Sequence, residues 1–242
     1  MNIAILETGR INAEIANRFP RYPDMFRQLF AQTPATGLTF SEVAVIDGVL
    51  PASIDDYDGY LVTGSAAGVY DAFPWIPPLM AFIRAAHAGD KPLVGICFGH
   101  QIIAHALGGH AEKWSDGWGL GVYDLALHDA PGWMPQCDSV KLIHIHQDQV
   151  VRLPEGATHL GSTAFCANAA FYIGDNVFCM QGHPEFDRDY TAALMAARTE
   201  TMGAGPVAAA TQSLESGHEG ITIAGWIADF FTQHAAARAA AA

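Results

Sequence analysis

In the amino-terminal half of the chain, short apolar runs alternate with helix-patterned segments, and this alternation narrows the fold more than any other feature. Ile3 to Leu6, Tyr60 to Thr63 and Leu93 to Ile96 are each too short for a helix and read as buried strands, while Leu38 to Ile46 is rich in strand formers. Helix signals fall between them. Asp24 after Pro23 reads as the N-cap of a helix over MFRQLFAQ, Pro77 to Ala88 has helical spacing and stops at Gly89, and Phe98 to Leu107 is closed by Gly108 and Gly109. Such alternation predicts an α/β fold, a doubly wound and mostly parallel sheet with its site at the carboxyl ends of the strands.

The second half has a different pattern. GVYDLALH, SVKLIHIH, ATHLGST, AAFYIG and NVFCMQG are strand-like runs with little helix between them, the pattern of hairpins added to a main sheet. Helix returns at Asp189 to Met202 and again at Ile221 to Phe231, and the terminal AAARAAAA is helix-prone but expected to fray. No repeat or linker divides the chain. With 242 residues, half of them hydrophobic, residues 1–242 can form one domain around a full core.

Charge and cysteine usage narrow the partners and the compartment. Twelve basic residues against twenty-five acidic ones give a formal net charge of −13, which repels nucleic acid and anionic membranes and leaves a small molecule as the expected partner. The amino terminus lacks the basic stretch of a signal peptide, and no run reaches the length of a membrane span. Cys97, Cys137, Cys166 and Cys179 form no CxxC pair, so neither a disulfide framework nor a zinc site is expected and a reducing cytoplasm suits the chain.

Of the four cysteines, Cys97 alone has a chemical context. Gly95-Ile96-Cys97-Phe98-Gly99 spells G-x-C-x-G between a strand and a helix, the nucleophile-elbow pattern with cysteine in place of serine. Flanking glycines relieve crowding in such a sharp turn. A cysteine at a helix N-terminus meets unpaired amides and the positive end of the helix dipole, which favour thiolate over thiol. The Phe98 amide would point at the oxygen of an attacked carbonyl. Free cysteines are more often small buried hydrophobes, and that reading is kept for the other three.

A thiol nucleophile needs a base, and the base needs an orienting partner. Gln181-Gly182-His183-Pro184-Glu185 offers both: His183 follows a strand, and the HxE spacing puts Glu185 on the same side of an extended chain. HPE alone is a weak signal in a chain with eleven histidines.

Together, GICFGHQIIAHALGG and QGHPEF resemble the two signature motifs of the class I glutamine amidotransferases, in the usual order and at roughly the usual distance. The resemblance covers most of the chain and implies a flavodoxin-like fold. It also implies a mechanism in which Cys97 attacks a γ-glutamyl amide to form a thioester, with His183 as base, Glu185 as its orienter and no cofactor. It further implies a second oxyanion donor at Gly64, in the TGS segment, beside Phe98. Gln101 takes the place of a substrate-contacting glutamine one helical turn after the nucleophile, and backbone groups around Gln147 and Asp148, in HQDQV, would hold the glutamate moiety.

Within the family, the local wording is similar to both the glutaminase domain of GMP synthase and the plant γ-glutamyl peptidases. The stretch after Met202 is too short for an ATP-using synthetase domain, so either a separate synthase partner takes the ammonia or the enzyme acts alone. TGSAAGVYD departs from the Gly-Gly-Pro wording of synthase-linked members, which favours autonomous action on glutamine or small γ-glutamyl compounds. Two other readings stay open: a metal site on His144, His146 and Asp148, which would need a further ligand, and a silent binding module on the same fold.

Overall fold

The computed structural model describes residues 1–34 and 37–241. Five parallel strands form one half of a nine-stranded sheet: β1 (Asn2–Leu6), β2 (Thr39–Val43), β3 (Gly59–Val62), β4 (Leu93–Ile96) and β11 (Val177–Met180). The other half is antiparallel, made of β6 (Gly119–Leu127), β7 (Ser139–His146), β9 (Thr158–Ser162) and β10 (Ala170–Ile173), and the order across the sheet is β2-β1-β3-β4-β11-β10-β9-β6-β7. The doubly wound α/β expectation with added hairpins is met.

Strand residues alternate between two cores. Ile3, Ile5, Leu61, Val94 and Ile96 pack with helices α1 (Tyr22–Phe30) and α7 (Gly220–Ala241) on one face. Ala4, Leu6, Tyr60, Val62 and Leu93 pack with α2 (Ile76–Ala88) and α3 (Phe98–Ala106) on the other. Burial on both faces explains why these strands read as unbroken apolar runs.

Several expectations need correction. Helix α1 starts at Tyr22, and its cap residue Arg21 makes no side-chain cap bond. Asp24 is therefore not the N-cap; it lies in the first turn and accepts a 2.6 Å bond from Arg27 Nη1. Pro23 is tolerated there because first-turn amides have no intrahelical acceptor. The strand over Leu38 to Ile46 stops at Val43, and Val45–Asp47 is a 3₁₀ turn. Three elements were not anticipated: β5 (His110–Lys113) and β8 (Asp148–Arg152), which pair in a small second sheet, and α6 (Ala204–Ser213), which follows α4 (Arg188–Ala197) and α5 (Thr199–Met202). Helix α6 sits close on β6 because Gly121, at φ +90°, has no side chain; a Cβ there would lie 2.3 Å from Ser213 Oγ. Ser213 Oγ accepts the Val122 amide at 2.9 Å.

The last helix runs past Phe231 and through the alanine-rich stretch to Ala241. His234 and Arg238 tie it to the turn between α2 and β4, with His234 Nε2 3.0 Å and Arg238 Nη1 3.1 Å from the Asp90 carbonyl. Ala242 lies outside the described residues. Among the described residues no helix is long and apolar enough to cross a membrane.

Candidate active site

The carboxyl ends of β3, β4 and β11 meet at one point, with Cys97 at its centre. Its φ of 55° and ψ of −104° put a non-glycine residue in a strained turn between β4 and α3. The turn can close only because two neighbours lack side chains: a Cβ on Gly99 would lie 2.2 Å from the Val62 carbonyl oxygen, and one on Gly95 2.6 Å from Gly99. The Cys97 amide donates to the Met180 carbonyl at 2.9 Å, and the Cys97 carbonyl accepts the Gln101 amide at 3.1 Å as the helix begins. Strand and helix thus pin the sulfur from both sides.

His183 arrives from the adjacent strand β11. Its amide donates to the Ile143 carbonyl at 2.8 Å, its Nδ1 lies 2.8 Å from Glu185 Oε1, and its ring is buried. With Nδ1 committed to the carboxylate, Nε2 is the ring nitrogen left over, and the ring lines the same cavity as Cys97. Burial, the largest influence on this imidazole, disfavours its charge. Cys97 and Glu185 together outweigh that and push His183 up to about 10. The ring also lies flat on Phe186, with centroids 3.9 Å apart and planes 5° from parallel.

Three other buried histidines behave in the opposite way. Burial pushes His100 and His146 down to about 3 and His144 well below its ordinary value, and none of them has a carboxylate partner. They are neutral side chains of the core beneath the site. His144 and His146 do share a face of β7, with ring centroids 5.4 Å apart. Among the described residues, however, no three His, Cys, Asp or Glu side chains are gathered as a metal would require, so the metal reading with Asp148 does not assemble.

Gly64 faces the same centre: a Cβ on it would lie 3.0 Å from His183 Cε1 and 3.7 Å from Cys97 Cβ. Its segment is held by a buried threonine pair unnoticed in the sequence. The Thr8 amide donates to Thr63 Oγ1 at 3.0 Å, and Thr8 Oγ1 donates to the Thr63 carbonyl at 2.9 Å. Among the described residues neither the Gly64 nor the Phe98 amide is given to a protein acceptor.

Gln101 is buried beside Cys97, and its Nε2 donates to the Asp148 carbonyl at 2.9 Å and to Gln181 Oε1 at 3.1 Å. The Asp148 carbonyl also meets His146 Nδ1 at 3.1 Å, and the Gln147 carbonyl accepts the Trp114 amide at 3.3 Å. The Gln147 and Asp148 carbonyls are therefore both engaged by the protein itself, while the two residues line the compartment beside Gln101. Burial pushes the Asp148 carboxyl up, against the pull of a bond from Tyr70.

Two compartments join over Cys97, sharing Ser65, Ala66, Ile145 and Arg198. One, of about 210 Å³, contains Gly64 and His183; the other, of about 370 Å³, contains Gln101, Gln147 and Asp148. A further hollow of about 390 Å³ lies behind Pro184 to Asp187 and touches neither Cys97 nor His183. Thr8 and Arg198 were missed from sequence because their roles rest on contacts distant in the chain, and Phe186, three residues after His183, because spacing alone does not show a ring stack.

The family model for class-I glutamine amidotransferases matches residues 36–197. γ-Glutamyl peptidase 3 of Arabidopsis thaliana is 35% identical over 154 residues, covering 60% of this chain and 62% of that protein. The chain thus spans under two thirds of that relative's length. A glutamine-hydrolyzing GMP synthase of Dehalococcoides mccartyi is 32% identical over 130 residues, covering 52% of this chain and 23% of the synthase. The crystal structure of a glutamine amido transferase from Methylobacillus flagellatus superposes with a TM-score of 0.75 over 97% of this chain and 94% of that one; at 23% identity the likeness is one of fold. The matched segment contains the elbow, the histidine and the glutamate, and the chain belongs to the class-I glutamine amidotransferase family.

Proposed function

We propose that the chain hydrolyses the γ-glutamyl amide bond of a small molecule through a thioester on Cys97. The observation that carries this reading is the meeting of the Cys97 sulfur, the His183–Glu185 pair and the two ungiven amides of Gly64 and Phe98 at one cleft. Cys97 Sγ attacks the γ-carbonyl carbon, and the π pair moves to the oxygen, where the two amides hold it as an oxyanion. Collapse breaks the C–N bond, and the amine leaves with a proton from His183. Water then gives a proton to His183 and attacks the thioester, which releases glutamate and returns the thiolate. Glu185 fixes the imidazole throughout. Gln101, Gln147 and Asp148 shape the end of the cleft that receives the glutamyl group. No step calls for a cofactor.

Autonomous action is favoured over service to a synthase, because the relatives include γ-glutamyl peptidases and the 64–71 loop has no Gly-Gly-Pro. The GMP synthase relative supports the second reading, an ammonia-supplying subunit with a separate partner. The deciding measurement offers the purified chain glutamine, γ-glutamyl dipeptides and glutathione conjugates, following glutamate, ammonia and amine separately. Turnover of γ-glutamyl peptides above glutamine supports autonomous action. Glutamine turnover that appears only with cell extract supports a partner, and no turnover under either condition favours a silent module.

A further inference from the structure

We infer that Arg198 is a specificity residue that reads a carboxylate on the amine half of the substrate, so that the preferred substrates are γ-glutamyl amino acids or peptides and not glutamine. This rests on the γ-glutamyl hydrolase reading above and deepens it. The proton for the departing nitrogen comes from His183, so the amine must leave on the histidine side of Cys97. That side is the compartment of about 210 Å³, several times the ~30 Å³ that one water takes in the liquid and therefore far larger than ammonia requires. Its walls include Tyr22, Phe186 and Leu194, which suit an organic amine better than a small polar one.

Two cations reach this compartment, and their circumstances differ. Arg10 is already paired, with Glu7 and, at 2.6 Å, with Asp47. The side chain of Arg198, at the join of α4 and α5, makes no ion pair and no hydrogen bond to the protein among the described residues. Its guanidinium carbon lies 4.9 Å from the centroid of the Trp118 ring, which supports one face and leaves the N–H edges to the cleft. An unpaired arginine over the nucleophile, in a chain of net charge −13, is a receptor for an anion. The other compartment carries Asp71 and Asp148, which fit the α-ammonium of the glutamyl half, and Lys113, which fits its α-carboxylate, so Arg198, shared by both compartments, is left for the amine half.

The test compares γ-glutamylglycine with γ-glutamylethylamide, which differ chiefly in the carboxylate, for wild type, Arg198→Gln and Arg198→Lys. Wild type should prefer γ-glutamylglycine in kcat/KM by about tenfold to a hundredfold, a charge-assisted hydrogen bond's worth. Arg198→Gln should lose most of that preference through KM, and Arg198→Lys should restore part of it. Should Arg198→Gln fail to fold, inhibition of wild type by free glycine against glycinamide reads the same carboxylate. Wild-type turnover of both substrates without preference, or a preference unchanged in Arg198→Gln, overturns the assignment and leaves the γ-glutamyl reading standing. Absence of turnover of either compound overturns both.

Discussion

His183 and Phe186 lie ring on ring, so the imidazole is held by an aromatic face as well as by Glu185. Phe186→Ala should lower kcat about tenfold, because the imidazole loses its orientation, and should also raise KM, because the ring walls the compartment that receives the amine. Phe186→Tyr should recover most of the rate. Equal losses in both variants would mean that the stack does not position the base.

For the nucleophile, the expectation is sharp. Cys97→Ala should abolish hydrolysis, and alanine at Cys137, Cys166 or Cys179 should leave most of it. Iodoacetamide near neutral pH should label Cys97 first, since its sulfur faces the His183 ring and first-turn amides. Cys137 is exposed yet burial of its sulfur pushes it up, and burial pushes Cys166 up to about 12 and Cys179 well above the usual range. Peptide mapping that finds even labelling at all four would count against an activated elbow.

His183→Ala should lose about a thousandfold or more in kcat, and Glu185→Gln should lose less, because the base stays in place when only its orienter is weakened. A normal rate in His183→Ala would point to another histidine. Only His183 among the buried histidines of the site has a carboxylate partner, which is why the substitution tests it alone.

The same residue gives a pH dependence with a defined sign. Its folded-state value, about 10, stands above the ordinary 6.5, so its charge stabilises the fold fully below about 6.5 and that contribution is lost as pH rises through about 10. Cys97→Ala removes one of the two groups that raise it. The difference in Tm between wild type and Cys97→Ala should therefore shrink or reverse from neutral to alkaline pH, with wild type losing the more. A difference that stays constant across that range would contradict the ion pair.

Gln101→Leu should destabilise the chain and raise KM together. It leaves the Gln181 Oε1 atom without its donor and strips one from the Asp148 carbonyl, at about 1–3 kcal/mol for a buried group left unpaired. Urea unfolding reads the first effect and steady-state kinetics the second. A stable variant with a raised KM would show that Gln101 acts on substrate and not on the HQDQV segment.

How much of this could be read from the sequence followed the range of the contacts. The elbow was legible because strand, nucleophile and helix are consecutive, and its glycines are required by approaches to Val62 and Gly99 that any tight strand-to-helix turn imposes. Helix α6 was not, since Gly205 and Pro206 weaken its pattern and its support comes from β6 across Gly121. Strand β5 is four residues long and exists through its pairing with β8. Asp24 misled because a good capping residue next to a proline was taken as the cap, when the proline itself could sit inside the first turn. Arg198 is invisible locally: nothing about one arginine after an alanine-rich helix announces an open cleft.

The register between β4 and β11 also divides the chain into parts that can and cannot change length. Gly95 faces Cys179 and Ile96 faces Met180, and the Cys97 amide is fixed to the Met180 carbonyl, so the places of Cys97 and His183 are set by ladder position and not by the chain between them. Insertions or deletions at the exposed Glu155–Gly156 turn leave that ladder untouched. One added residue within 93–97 or 177–183 would turn Cys97 or His183 to the other face of the sheet. Loops far from the cleft are thus free to drift in length or to accept a grafted segment, while two stretches of a few residues are frozen to the single residue.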